Sequence, residues 1–337
     1  MWKVRQATSR TAPRAPDRKP GFKMVWRAVL IAMLVVTFAA TEQAMSQART
    51  EWGDPDLQGI WSNATLTPLE RPDQIAEQEF LTEAEAIEFE KAGIELTVLN
   101  PFDFEVPLSG ELNEVWLEPG SVVRSRRTSL VIDPPDGKLP FTPEGRKRRD
   151  SALARIFSLV ADSWEDRHPN ERCLASGGVF VPNPFYLNNH HILQSRNHVA
   201  ILTEMMNEVR IIPLDGRSPL DPGITQWAGN SRGRWEGESL VVETANFSNR
   251  VDFQGATDGL RIVERFTRVD ANTIDYELTA TDPASFTRAW TLANTLRKVE
   301  GPIYEFACHE GNYGLPNILA GARAQEKAAA DETSARD

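Results

Sequence analysis

Cysteine and histidine are scarce here: two of the first and five of the second in 337 residues. Two cysteines are too few for a zinc ribbon or a cluster site. No His-Glu-x-x-His occurs, and no His pair stands at the i, i+4 spacing of a helical metal site. Gly-x-Ser-x-Gly, a P-loop, a dinucleotide fingerprint and an EF-hand loop are missing too. These absences argue against nucleotide and nicotinamide chemistry, and no cofactor or metal is expected. A metal site would need His190 or His191, His309 and a carboxylate such as Glu204, Glu305 or Glu310, ligands that no motif gathers. There is no basic stripe with interleaved aromatics. The chain carries a net −11, and residues 1–48 hold eight Lys and Arg against Asp17 and Glu42, so residues 49–337 hold −17. A body this acidic repels nucleic acid and anionic lipid, and nucleic acid is set aside as a partner.

What is present begins with an apolar run. Ala28 to Ala40 is unbroken, follows Arg27, and is succeeded by Ser46-Gln47-Ala48, small residues at the −3 and −1 positions of a cleavage site. That pattern is a secretory signal peptide. It is much shorter than the ~20 residues of a bilayer span, and no second run of spanning length follows. The expectation is a periplasmic or secreted protein starting near Arg49, with no membrane anchor after cleavage. In an oxidising compartment Cys173 and Cys308 are either bridged or two buried thiols. A bridge would close a long loop.

Along the chain, Asp56-Leu57-Gln58-Gly59-Ile60-Trp61-Ser62 reads as a first strand after a turn marked by glycine and proline. Thr82-Glu83-Ala84-Glu85 is a capping box that opens a helix to about Lys91, with Gly93 as its stop. Residues 95–120 are broken repeatedly by proline and glycine. Ser129 to Phe141 reads as a hairpin around Pro-Pro-Asp-Gly, and Thr142-Pro143 caps a second helix running to about Val160. Its basic first turn, Arg146 to Arg149, opposes the helix dipole and calls for an acidic neighbour. From about 185 onward short strands follow one another: His190–Ser195, Val199–Met205, Glu208–Leu214, Ser239–Phe247, Leu260–Val269, Thr273–Thr281, Thr287–Leu296 and Ile303–Cys308. Tight turns and the lack of intervening helices argue for an antiparallel meander. Leu319 to Ala330 reads as a C-terminal helix.

Gly59-Ile60-Trp61 resembles the Gly-x-Trp signature of lipocalins and other calycins. That resemblance implies a barrel whose Trp closes one end against an Arg from a late strand, Arg288 or Arg297. The runs RIIPLDG (210–216), SRGRWEG (231–237), ERFTRVD (264–270) and ACHEGNY (307–313) resemble a widespread exported bacterial family of largely unknown function, which brings no activity with it. Asn230 stands where Asp is expected before Ser-Arg-Gly. The fold expected is mainly β, a meander closing into a calycin-like barrel over 49–323. A helical and irregular insertion spans 72–165, and a polar tail occupies 324–337.

Polar residues near the strand ends are the candidates for chemistry. His190 and His191 are neighbours on a strand and face opposite sides, so at most one enters a barrel. If residues 303–308 form a strand, Cys308 and His309 point apart and cannot be a dyad. His309 beside Glu305 or Glu310 would make an acid–base pair, the alternative being a polar rim, and Glu204 is a further catalytic candidate. Arg232 and Arg234 share a face and could grip a carboxylate or phenolate, the alternative being an internal Arg–Glu network. Asn188, His190, Trp235 and Tyr304 complete the candidate ligand site. The leading functional expectation is an exported, cofactor-independent lyase or isomerase acting on a hydrophobic, aromatic small molecule. The alternative is a non-catalytic carrier or sensor.

Overall fold

A computed structural model describes residues 48–99, 120–121, 125–156, 161–174, 179–180, 187–251 and 253–335. The expected signal segment lies outside them, apart from Ala48. So do the end expected for the second helix, at Val160, and most of the irregular stretch at 95–120.

The structure is an antiparallel, calycin-like β-barrel, nearly closed. Its strands are β1 (Gly59–Ser62), β2 (Val131–Asp133), β3 (Asn189–Ser195), β4 (His198–Thr203), β5 (Glu208–Pro213), β6 (Asn230–Glu236), β7 (Ser239–Ala245), β8 (Arg261–Asp270), β9 (Thr273–Thr281) and β10 (Trp290–Val299). Around the barrel the order is β5-β4-β3-β1-β10-β9-β8-β7-β6, and β2 pairs with β10 off that path. The helices are α1 (Glu83–Leu99), α2 (Pro143–Ile156), a single turn α3 (Cys308–Gly311) and α4 (Gly314–Ser334). No described helix is long and apolar enough to cross a membrane.

Every step in that strand order is antiparallel. Eight reversals leave β5 and β6 pointing the same way, so a nine-strand path must close on a parallel pair. A parallel neighbour cannot be reached by a hairpin, and the connection 214–229 is accordingly long. No hydrogen bond joins the two strands among the described residues. Side chains close the seam instead. A Cβ on Gly233 of β6 would come within 2.6 Å of the Leu214 side chain and 2.8 Å of Ile212, so glycine is what lets the two edges meet.

Alternation fills the interior. Ile262, Phe266, Ile274, Tyr276, Leu278, Trp290, Leu292 and Leu296 point inward and are buried, as period-2 strands with one apolar face require. One end is closed by Trp61, fully buried, whose indole N–H donates to Leu57 O at 2.8 Å. The arginine over it is Arg268, 5.7 Å from the ring, not Arg288 or Arg297. Arg268 donates to Asp56 O, Asp270 O and Ala271 O. Arg288 instead pairs with Asp133 on the surface at 2.8 Å. Arg268 sits on an inward position of β8, whereas Arg297 neighbours Leu296 and so points to the other face.

The opposite end is capped by aromatics. Trp290 stacks on Phe253 at 6.1 Å and meets Phe286 edge-on at 5.7 Å, and Phe286 touches Phe141. Helix α2 lies beside this cap. Thr142 caps it through Gly145 N–H, as read from the sequence. A Cβ on Gly145 would stand 2.1 Å from Ser285 O, so the helix approaches that close only with glycine there.

Several elements differ from expectation. Glu85 and Thr82 form the expected capping box, but α1 runs past Gly93 to Leu99. An isolated interior glycine costs only about 1 kcal/mol in a helix. The 129–141 hairpin contributes just the three residues of β2, which join the barrel sheet, so the insertion at 72–165 is not wholly helical or irregular. Residues 303–307 form no strand, and α3 begins at Cys308. The expected polar tail is largely the end of α4.

Candidate functional site

The apolar alternation is interrupted at Arg210 on β5 and Glu264 on β8. Both face inward, 4% and 0% exposed at the side chain, and their charges meet across the barrel in two bonds of 2.5 and 3.0 Å. The Tyr276 hydroxyl on β9 donates to the same carboxylate at 3.0 Å. Removing two charges from water costs several kcal/mol per ion even after relaxation, so stability alone does not account for a pair placed here. Burial pulls the Arg210 guanidinium down, but the charge and hydrogen bonds of Glu264 outweigh it and leave a net upward shift. Burial and the neighbouring carboxylate push the Tyr276 phenol well above its usual value.

His190 stands in the same interior. It lies opposite Trp61 across β1 and β3, so of the adjacent histidines it is His190 that points in. Its Nδ1 lies 3.1 Å from Thr203 Oγ1, and its Nε2 is buried with no hydrogen-bond partner among the described residues. Burial, with Arg210 nearby, lowers its pKa to about 3. The ring is therefore neutral at physiological pH. Arg210 Nε and Trp235 Nε1 are likewise buried and unbonded.

Phe180 occupies the middle of this cluster. It belongs to no strand, yet is fully buried. Its ring lies 3.9 Å from the His190 ring and 5.3 Å from both Phe266 and Tyr276, with the Arg210 guanidinium 6.0 Å away. These neighbours come from β3, β5, β8 and β9, so one phenyl ring is lodged among walls on different sides of the barrel.

The other candidates are dispersed. His309 and Glu310 lie on α3, both exposed, and Tyr304 is 70% exposed. Glu204 is buried, accepting from Asn189 Nδ2 at 2.8 Å and Tyr304 N–H at 3.3 Å. It anchors the C-terminal segment to the barrel, and the structure does not bring it into a shared site with His309. The acid–base pairing expected of His309 depended on a strand at 303–308, which is not formed. Asn188 is buried beside β1, its carbonyl accepting from Asn63 N–H. Trp235 faces inward and packs on the core.

Arg232 and Arg234 do share a face, but it is the outer one. Arg232 donates to the carbonyls of Arg217 and Ser218, tying down the 214–229 crossover. Arg234 pairs with Glu236 and Glu243. The Arg–Glu network is thus the arrangement found for Arg234, with Arg232 bonded to backbone. The crossover borders a groove of about 530 Å³ at the β5–β6 seam, lined in part by Val209, Ile211, Leu220 and Arg232.

Cys173 and Cys308 are bridged, with Cα atoms 5.7 Å apart. Nearby, Asn207 exchanges two hydrogen bonds with the backbone of Phe306. Asn312 donates to Glu171 O and Cys173 Sγ. These contacts hold the C-terminal segment against the barrel.

No family model matches this chain, and no curated protein matches it significantly.

Arg210, Glu264 and Phe180 escaped sequence reading. A signal did exist for two of them. Glu264 falls between Ile262 and Phe266 on an inward face, and Arg210 precedes Ile212 on another; a charge at such a position needs a buried partner.

Proposed function

We propose that this protein is an exported carrier or sensor that holds a small aromatic molecule in its barrel interior, where Phe180 now sits. One observation carries the reading: His190 Nε2 and Arg210 Nε are buried, unbonded and grouped around a phenyl ring. An aromatic ligand with a hydroxyl or carboxylate would replace that ring while using these unmet polar atoms. Small barrels hold a single small ligand in this way. Binding is favoured over lyase or isomerase chemistry because His309 and Glu310 face solvent, and because a histidine with a pKa of about 3 is a weak base at neutral pH. Export is supported by the apolar run before Ser46 and by the disulfide, which oxidising compartments favour.

The test is titration with 4-hydroxybenzoate, followed by the fluorescence of the interior tryptophans. If Phe180 competes with the ligand, the native protein binds with an affinity reduced by the fraction of time the site is vacated. Phe180→Ala should then bind at least tenfold more tightly. A folded Phe180→Ala that shows no saturable change overturns the proposal for this ligand class.

A further inference from the structure

On the outside of the molecule, next to the aromatic cap, cations crowd one concave surface. A groove of about 420 Å³ runs between α2, the turns at 164–172 and residues 249–251 and 255–256. Lys147, Arg148 and Arg155 reach it from α2, Arg167 and Arg172 from the turns, and Arg250 from the loop, whereas among the described residues Glu165 is the one carboxylate lining it. Such a concentration is unexpected in a chain whose residues 49–337 carry −17.

Two of these cations are held internally. Arg167 is buried and makes two bonds to Glu171, at 2.7 and 2.9 Å. Arg148 donates to Gly255 O, Ala284 O and Ser285 Oγ. The other four have no ion pair among the described residues. Lys147, Arg155 and Arg250 are exposed, and Arg172 lies 4.4 Å over the Trp164 ring, a contact that orients it without neutralising it. The Arg172 guanidinium is pulled below its ordinary value by burial and by Arg250, against the pull of Glu165. Among the described residues the basic start of α2 finds acidic neighbours for Arg149 alone, 3.8 Å from Glu70 and 3.7 Å from Asp150. Among the described residues Glu165 is the single carboxylate set against these like charges, so their repulsion raises the energy of the empty groove and an anion relieves it. Guanidinium forks match the paired oxygens of phosphate and sulfate, and the volume is that of a small-molecule site.

We infer that this groove binds a small multivalent oxyanion bearing phosphate or sulfate groups. The site is separate from the barrel interior and does not depend on the function proposed for it. The test is calorimetric titration of the full chain with inorganic pyrophosphate at low salt. One saturable site is expected, weakened at least tenfold in Arg172→Gln/Arg250→Gln. It should stay within twofold of the parent in Phe180→Ala and in Arg265→Gln, the latter on the outer face of β8. Near-ultraviolet circular dichroism checks the fold. Should the double variant misfold, Lys147→Gln/Arg155→Gln on the exposed side of α2 replaces it with the same expected loss. Absence of saturable binding, or equal affinity in a folded groove variant, overturns the inference. Vesicles of phosphatidylglycerol form the second arm. No co-sedimentation is expected, and co-sedimentation lost in the groove variants would overturn the small-molecule assignment in favour of a lipid headgroup.

Discussion

Cys173 and Cys308 are covalently joined across a sequence separation of 135 residues, linking the turn after Pro169–Arg172 to the first residue of α3. The bridge tethers a segment that otherwise touches the barrel through a few polar contacts. A loop of that length restrains the unfolded chain by about 4–5 kcal/mol in the chain-entropy account. Cys173→Ser/Cys308→Ser should therefore lose stability on that order in urea unfolding. Thiol titration of the unreduced, denatured parent should find almost no free thiol.

Arg268 under Trp61 is expected to matter far more than the arginines read from the sequence. Its side chain donates to three backbone carbonyls and is 7% exposed. Arg268→Ala leaves those acceptors unmet and should cost roughly 3–5 kcal/mol. Arg288→Ala removes an exposed pair with Asp133 and should cost under about 1 kcal/mol. Urea denaturation midpoints distinguish the two.

Breaking the interior ion pair from one side should be worse than removing it altogether. Glu264→Gln leaves the buried Arg210 charge uncompensated and should destabilise by about 3–5 kcal/mol. Arg210→Met/Glu264→Leu should recover most of that loss. If the double variant is no more stable than the single, the charges are coupled to something beyond each other.

His190 gives stability a defined acid dependence. Its folded pKa is about 3, below the ordinary 6.5, so the unfolded chain takes up a proton that the folded chain refuses between those values. Stability should fall as pH drops from 6.5 toward 3, by up to about 1.4 kcal/mol per unit from this group, and the effect should cease below pH 3. His190→Gln should remove this component and flatten the stability–pH curve across that window.

Gly233 is expected to be the residue that tolerates least at the seam. Gly233→Val would drive side-chain atoms into Leu214 and Ile212 and should cost about 1–3 kcal/mol. Amide exchange should then quicken in β5 and β6 before it does in β8 and β9.

The meander was legible because its strands are half buried and their turns are explicit. Thr273–Thr281 alternates cleanly and forms as read. Strand β6 was hidden by its own composition: Ser-Arg-Gly-Arg looks like a polar turn, since its outward residues are charged and its inward ones include a glycine. Ile303–Cys308 has the apolar content of a strand, but among the described residues it pairs with none; 303–307 are irregular, pinned by Glu204 and Asn207, and Cys308 opens α3. The Trp61 closure was visible as a motif, although its arginine could be found only once the inward register of β8 was known. The candidate site was least legible, because what makes it one is contact between residues on β3, β5, β8 and β9 and a phenyl ring from outside the sheet.

The position of β1 between β3 and β10 orders events during synthesis. Asn294 Nδ2 bonds Asn63 O across 231 positions, and β1 is only four residues long. The hairpins β3–β4–β5, β6–β7 and β8–β9–β10 can each form from neighbouring sequence, but β1 has no local partner. Contacts so distant along the chain slow closure. Trp61 can meet His190 once β3 has emerged, but its strand is enclosed on both sides only when β10 arrives near the end of the chain. A chain that is threaded through a membrane N-terminus first would therefore stay unclosed for as long as its last strand is held back.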